Sequence, residues 1–136
     1  IIPTSNRSFL GKMIDAGKKL FLLDLYMPLK QDNIKIGYSK DKLLWAEENE
    51  EQVWKYFIEE NLLYSTDTKL NKRFLDEAPF SKFYLTEDSR SPGRIGQWVG
   101  WQIVRSFMQN NAVSLQTLLM TNEEEIFKKS NYKPRK

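Results

Sequence analysis

Apolar positions recur at helical spacing along almost the whole chain, and the pattern is densest from Ser91 to Asn111. There Ile95, Val99, Ile103 and Phe107 form one row, and Trp101, Val104 and Met108 form the next. Together they exceed the apolar stripe of a helix lying on a surface. The segment is therefore predicted to be a central helix over about residues 92–110, covered on most of its circumference. Pro92 suits a first helical turn, where its missing N–H is no loss, and the Asn110–Asn111 pair offers an exit. Gly96 and Gly100 fall on one face, a turn apart. Glycine inside a helix costs about 1 kcal/mol relative to alanine, so two at this spacing predict close approach by another backbone.

The flanking segments read the same way. Phe9, Leu10, Met13, Ile14, Leu20, Phe21, Leu23 and Met27 predict a helix from Phe9 to Met27, capped by Ser5 or Ser8 and ended by Pro28. Gly17 is a second point of close packing within it. Lys30 to Tyr38 reads as a connecting loop. Ser39 is an N-cap for Lys40 to Glu48, and Asn49 breaks the chain before a helix over Glu50 to Leu63. In that helix Glu50 and Glu51 load the first turn against the positive dipole end. The aromatic stripe of Trp45, Trp54, Tyr56 and Phe57 is read as core in preference to a binding groove. Leu70 to Leu75 reads as a short helix. The segment from Ala78 to Pro92 reads as an ordered loop pinned by Phe80, Phe83, Tyr84 and Leu85. Ser114 caps Leu115 to Met120, and Asn122 starts a final helix that ends near Asn131 and Pro134. The fold class is all-α, a single irregular helical domain over residues 1–136 built around the central helix.

Composition narrows the chemistry. The 136 residues include no Cys and no His. That removes disulfides, thiol catalysis, thiolate and imidazole metal sites, and every Ser-His-Asp or His-Glu-x-x-His arrangement. A net charge of +3 is too small to argue for nucleic acid. Much of the basic excess is local, in Lys128, Lys129, Lys133, Arg135 and Lys136, while Glu47, Glu48, Glu50 and Glu51 are concentrated elsewhere. No run approaches the roughly 20 apolar residues of a membrane span. No signal-peptide pattern is visible, and the abrupt opening on Ile1-Ile2-Pro3 leads to the expectation of a fragment or processed product.

Candidate chemistry is sparse. Trp98, Gln102, Arg105 and Gln109 share a stripe of the central helix, with Arg94 earlier on it. A Trp face beside an Arg and two amides could bind a carboxylate, a sugar or a peptide. The reading preferred to this is that Trp98 packs in the core while Gln102 and Arg105 satisfy buried backbone or pair with Asp24. Asp24 sits among Leu22, Leu23 and Leu25. It is either a solvent-facing residue of a last turn or a buried carboxylate needing a partner, with Arg105 and Arg94 the candidates. Asp76–Glu77 and Glu87–Asp88 are adjacent in sequence and point different ways, so they form no defined pair for glycoside hydrolysis. The site residues are thus Trp98, Gln102, Arg105, Arg94 and Asp24, with no catalytic residue, no metal ligand and no cofactor.

Four ordered segments resemble one family. They are FLGKMIDAGKKLFLLDLYMP, IGYSKDKLLWAEENEEQVWKYFIEENLLYST, EAPFSKFY, and SPGRIGQWVGWQIVRSFMQNN with the later KKSNYKP. The combination resembles the C-terminal part of the gliding motility lipoprotein GldB of the Bacteroidetes, across essentially the whole chain. The resemblance implies an exported protein held at the membrane by a lipid on an N-terminal portion that is missing here. It implies partners among gliding and protein-secretion machinery in the cell envelope, facing the periplasm. A more distant likeness is to helical zinc-dependent peptidases, in which a later helix supplies a glutamate ligand just before a glycine. If Phe9 to Met27 matches that helix, the position is Ala16, which cannot bind a metal. The expectation is a non-enzymatic structural or binding component of that machinery. The alternatives are part of a peptidase whose remaining catalytic groups lie in a missing N-terminal portion, or a glycan-binding domain acting through Trp98 and Arg105.

Overall fold

A computed structural model describes residues 8–86 and 88–135, so Ser5, Glu87 and Lys136 lie outside the described residues. Among those residues there are helices and no strand. Helix α1 (Phe9–Tyr26) begins where the Ser8 hydroxyl accepts from the Gly11 N–H at 2.9 Å, satisfying one of the amides that a helix start leaves unpaired. Helix α2 (Asp32–Ile36) corrects the reading of Lys30 to Tyr38 as a loop. It is a bare turn and a half, too short to show a period, and Gly37 closes it in the left-handed conformation (φ 77°). Helices α3 (Lys40–Glu48) and α4 (Glu50–Glu59) follow, separated by Asn49 as expected, with Ser39 capping α3. A single π-turn occupies Asn71–Leu75 and a 3-10 turn Asp88–Arg90.

The central helix, α5, spans Ile95–Asn110. Its start lies three residues later than Pro92, because Arg94 enters in the left-handed conformation (φ 57°) and sets the turn into the helix. Helices α6 (Leu115–Met120) and α7 (Glu123–Ser130) complete the chain, capped by Ser114 and Asn122.

The most extensive packing is of α5 on α1, followed by α5 on α7. Gly17 and Gly100 make the first of these possible. A Cβ on Gly100 would overlap the Met13 carbonyl, and one on Gly17 would overlap the Gly100 carbonyl, so the two backbones touch directly. A Cβ on Gly96 would sit 3.0 Å from the Phe74 carbonyl oxygen and from a Leu75 methyl. Nine residues of α5 are buried, from Ile95 to Phe107, in agreement with the double apolar row. Trp101, Ile103 and Val104 are completely enclosed.

A second layer is aromatic. Phe9 of α1 meets Phe57 of α4 edge-on at 5.0 Å, Phe57 meets Phe74 at 5.2 Å, and Phe74 meets Phe83 at 5.1 Å. Such pairs add about 1 kcal/mol each beyond area burial. The 78–92 loop is held less tightly than its aromatic content implies: Phe83 is buried, Phe80 half-buried, and Tyr84 and Leu85 exposed. Leu25, Tyr26, Leu29 and Ile34 also stay exposed around the α1–α2 corner. No helix of the described residues is long and apolar enough to cross a membrane.

Gly100→Ala is therefore expected to destabilise the fold by about 3 kcal/mol or more, at the top of the range for overpacking, because backbone on both sides must move. Chemical denaturation measures this directly. A change below about 1 kcal/mol would show that the α1–α5 contact is not fixed by the absent side chains.

Candidate functional site

Asp24 lies on the last turn of α1, facing α5, and is only partly accessible. Of its two expected partners it takes Arg105. The Arg105 Nε donates to Asp24 Oδ2 and Nη2 to Asp24 Oδ1, both at 2.8 Å, a bidentate fork. Trp101, one turn before Arg105, donates its indole N–H to Asp24 Oδ2 at 3.0 Å, and Lys35 of α2 donates to Oδ1 at 3.0 Å. The opposite edge of the guanidinium grips Asp32, with Nη1 and Nη2 each donating at 2.9 Å. Its Cζ lies 3.8 Å from the Trp101 ring centre. Arg105 is thus bracketed by two carboxylates and stacked on an aromatic face, and two anions are matched by two cations.

The pKa directions follow. Burial raises Asp24, but hydrogen bonds from Arg105 and Lys35, with the Arg105 charge, hold its carboxyl below the usual range. Burial lowers Arg105, and the hydrogen bonds and charges of Asp24 and Asp32 more than reverse that. The solvent-facing reading of Asp24 does not hold. Sequence reasoning missed Asp32, Lys35 and the Trp101 indole. The i, i+4 spacing of Trp101 and Arg105 was the available signal.

Arg94 is not part of this cluster. It sits about 16 Å earlier along α5 by helical rise. Its guanidinium donates to the Ile36 carbonyl at 2.6 Å and lies over the Tyr38 ring, while the Tyr38 hydroxyl donates to the Gly93 carbonyl at 2.6 Å. Arg94 therefore fastens the α2–α3 turn to the start of α5. Trp98 is 2% exposed, which takes its ring out of reach of any ligand at the surface. Its indole N–H has no hydrogen-bond partner among the described residues.

Gln102 and Arg105 do share an open feature. With Ser106 and Gln109 they form one wall of a polar cleft of about 360 Å³. The other side is the segment after α7, with Tyr132, Lys133 and Arg135, and Glu50 lies at its base. The tail is fastened there. Tyr132 packs edge-on against Trp54 at 5.0 Å and donates to Glu50 at 2.7 Å, and Arg135 pairs with Glu47 at 3.5 Å. Glu50 is 4% exposed, so its role is a buried acceptor for the tail as well as a first-turn charge. Burial raises its pKa, and the hydrogen bonds from Tyr132 and the Arg135 backbone only partly offset this. Ser106 and Asn110 donate to the Ser130 carbonyl at 2.6 and 2.8 Å, closing the end of α7 onto α5. Gln109 and Lys133 remain exposed in the lining. Among the described residues, no three acidic side chains gather where they could hold a metal ion.

Replacing Arg105 by Met leaves Asp24 and Asp32 without their fork. The expected loss is about 3 kcal/mol at neutral pH, the low end for a buried pair because the cluster keeps some solvent contact. Asp24 titrates below its unfolded value of about 3.9. Its contribution is therefore present above that pH and disappears as pH falls through the folded value. Urea unfolding of wild type and variant should differ most above about pH 5 and converge in strong acid. A difference independent of pH would contradict the assignment.

No curated protein and no solved structure matches this sequence. The sequence profile of a family described as gliding motility protein GldB matches residues 1–134, nearly the whole chain and all four segments quoted above. The chain belongs to the gliding motility protein GldB family.

Proposed function

We propose that this protein is a non-enzymatic structural and binding component of gliding motility and its associated secretion machinery, and that the cleft between α5 and the C-terminal tail receives a polar segment of another component. Family membership supports a part in gliding motility. The observation that carries the binding reading is the division of labour along α5. Arg105, the one charged group of the stripe, spends four hydrogen bonds on Asp24 and Asp32 and holds the fold. Gln102, Gln109 and Lys133 line an open cleft beside it. Amides and an ammonium give hydrogen-bonded recognition of backbone or carboxylate groups.

The family label names a lipoprotein, which supports a cell-envelope location, and on our reading the domain faces the periplasm. On this reading the chain is one helical domain, the C-terminal portion of a longer lipoprotein. It is anchored by a lipid on a cysteine that these 136 residues do not contain.

The test is made in gliding cells whose only copy is the full-length protein. Gln109 is exposed, so Gln109→Trp should fill the cleft and leave protein level and melting temperature unchanged. Gliding speed should fall severalfold, and a photo-crosslinker at the same position should join one envelope component. Normal gliding with a filled cleft would remove the cleft from the mechanism.

A further inference from the structure

The aromatic stripe that reads as core in the sequence divides in three dimensions. Trp54 and Phe57 are buried, whereas Trp45 and Tyr56 keep part of their surface. They open onto a second cavity, about 290 Å³, that shares no lining residue with the polar cleft. One wall is a continuous face of α4, with Asn49, Gln52, Val53, Tyr56 and Glu59 at successive turns. By helical rise this face runs about 15 Å, the span of an extended segment of about four residues. The other wall is the loop bearing Phe83, Leu85 and Asp88. Leu85 is 58% exposed, so apolar surface is left open beside the Trp45 ring.

That loop wall is held in place before anything binds. Tyr84 adopts the left-handed conformation (φ 63°), which a bulky residue rarely does. It is kept there by Asp88, whose carboxylate accepts from the backbone N–H groups of Phe83, Tyr84 and Leu85 at 3.2, 2.9 and 3.3 Å. Arg73 caps the Tyr84 ring from outside at 4.5 Å and donates to the Tyr56 hydroxyl and the Lys82 carbonyl. The wall is thus preformed, and a preformed wall lowers the ordering entropy of binding.

Charge selects the occupant. Among the described residues, the groove lining holds two carboxylates, Glu59 and Asp88, and no cation. Lys55, on the same helix, leans to Glu51, and Arg73 is engaged behind Tyr56. Aromatic faces at Trp45 and Tyr56 add attraction for a cation. We propose that this groove docks a segment of a partner protein that presents an aliphatic side chain next to a lysine or arginine. The aliphatic group lies against Trp45, Val53 and Leu85, and the cation reaches Glu59, with Asn49 and Gln52 hydrogen-bonding the segment's backbone.

The full-length protein is titrated with two end-capped tetrapeptides, Ala-Leu-Lys-Ala and Ala-Leu-Glu-Ala, and followed by two-dimensional NMR. The lysine peptide should shift the Trp45 indole and the Asn49 and Gln52 side-chain amides, saturating in the millimolar range expected of so short a segment. The glutamate peptide should bind several times more weakly. Glu59→Lys should weaken the lysine peptide about fivefold and remove the preference. Leu85→Ser should weaken both peptides. Both positions are exposed, so the variants should keep the wild-type melting temperature. Equal binding of the two peptides, shifts confined to other residues, or no effect of Glu59→Lys would overturn the proposal. So would sedimentation showing a dimer that Leu85→Ser dissolves, because the groove would then belong to a second copy of the chain.

Discussion

Helices α1 and α5 touch backbone to backbone, and the docking of α2 and α7 onto them depends on that contact. Gly17 lies against the carbonyl of Gly100, and Gly100 against that of Met13, with no side chain to hold the helices apart. The short separation lets the last turn of α1 carry Asp24 to within a bidentate hydrogen bond of Arg105. On a neighbouring face of α1, Lys18 reaches the first turn of α7, donating to Glu123 at 2.7 Å and to the Thr121 carbonyl at 2.9 Å. Both members of that pair are nearly fully buried, so it specifies where α7 docks more than it stabilises the fold. A side chain at either glycine would separate the helices and loosen all of these links together.

The chain then uses its charges in two ways. Those that face the α1–α5 seam are consumed in pairs and forks, as Arg105 is between Asp24 and Asp32. Those at the edges remain open to solvent, as Lys133 does in the polar cleft and Glu59 in the aromatic groove. The two openings share no lining residue and differ in chemistry, one lined mainly by amides, hydroxyls and cations, the other by aromatic rings and carboxylates. The scaffold between them is held by contacts that leave no slack.

Features carried by local chemistry were legible in the sequence. The caps at Ser8, Ser39, Ser114 and Asn122 depend on a side chain and an amide three residues away, and all four form. The glycine contacts were legible because glycine inside an apolar helix is costly unless a neighbour needs the space. The pairing of Asp24 was half legible: a carboxylate among leucines calls for a partner, but only the structure chooses Arg105 over Arg94. The rest depends on chain segments far apart in sequence. Glu50 reads locally as a first-turn charge, yet Tyr132 returns 82 residues later to cover it. Trp98 packs in the core, as the favoured reading has it, but nothing local shows which residues close over it. Tyr84 and Leu85 read as anchors, yet Asp88 twists the loop so that only Phe83 turns inward.

Amide hydrogen exchange under native conditions tests the primacy of the α1–α5 seam most directly. Amides from Met13 to Lys18 and from Gly100 to Val104 should exchange only through global unfolding, with the largest free energies in the protein. The loop over residues 78–91 and helix α6 should open locally at much lower free energy. A partial opening that releases α1 from α5 while the aromatic layer around Phe57 and Phe74 stays protected would contradict the account.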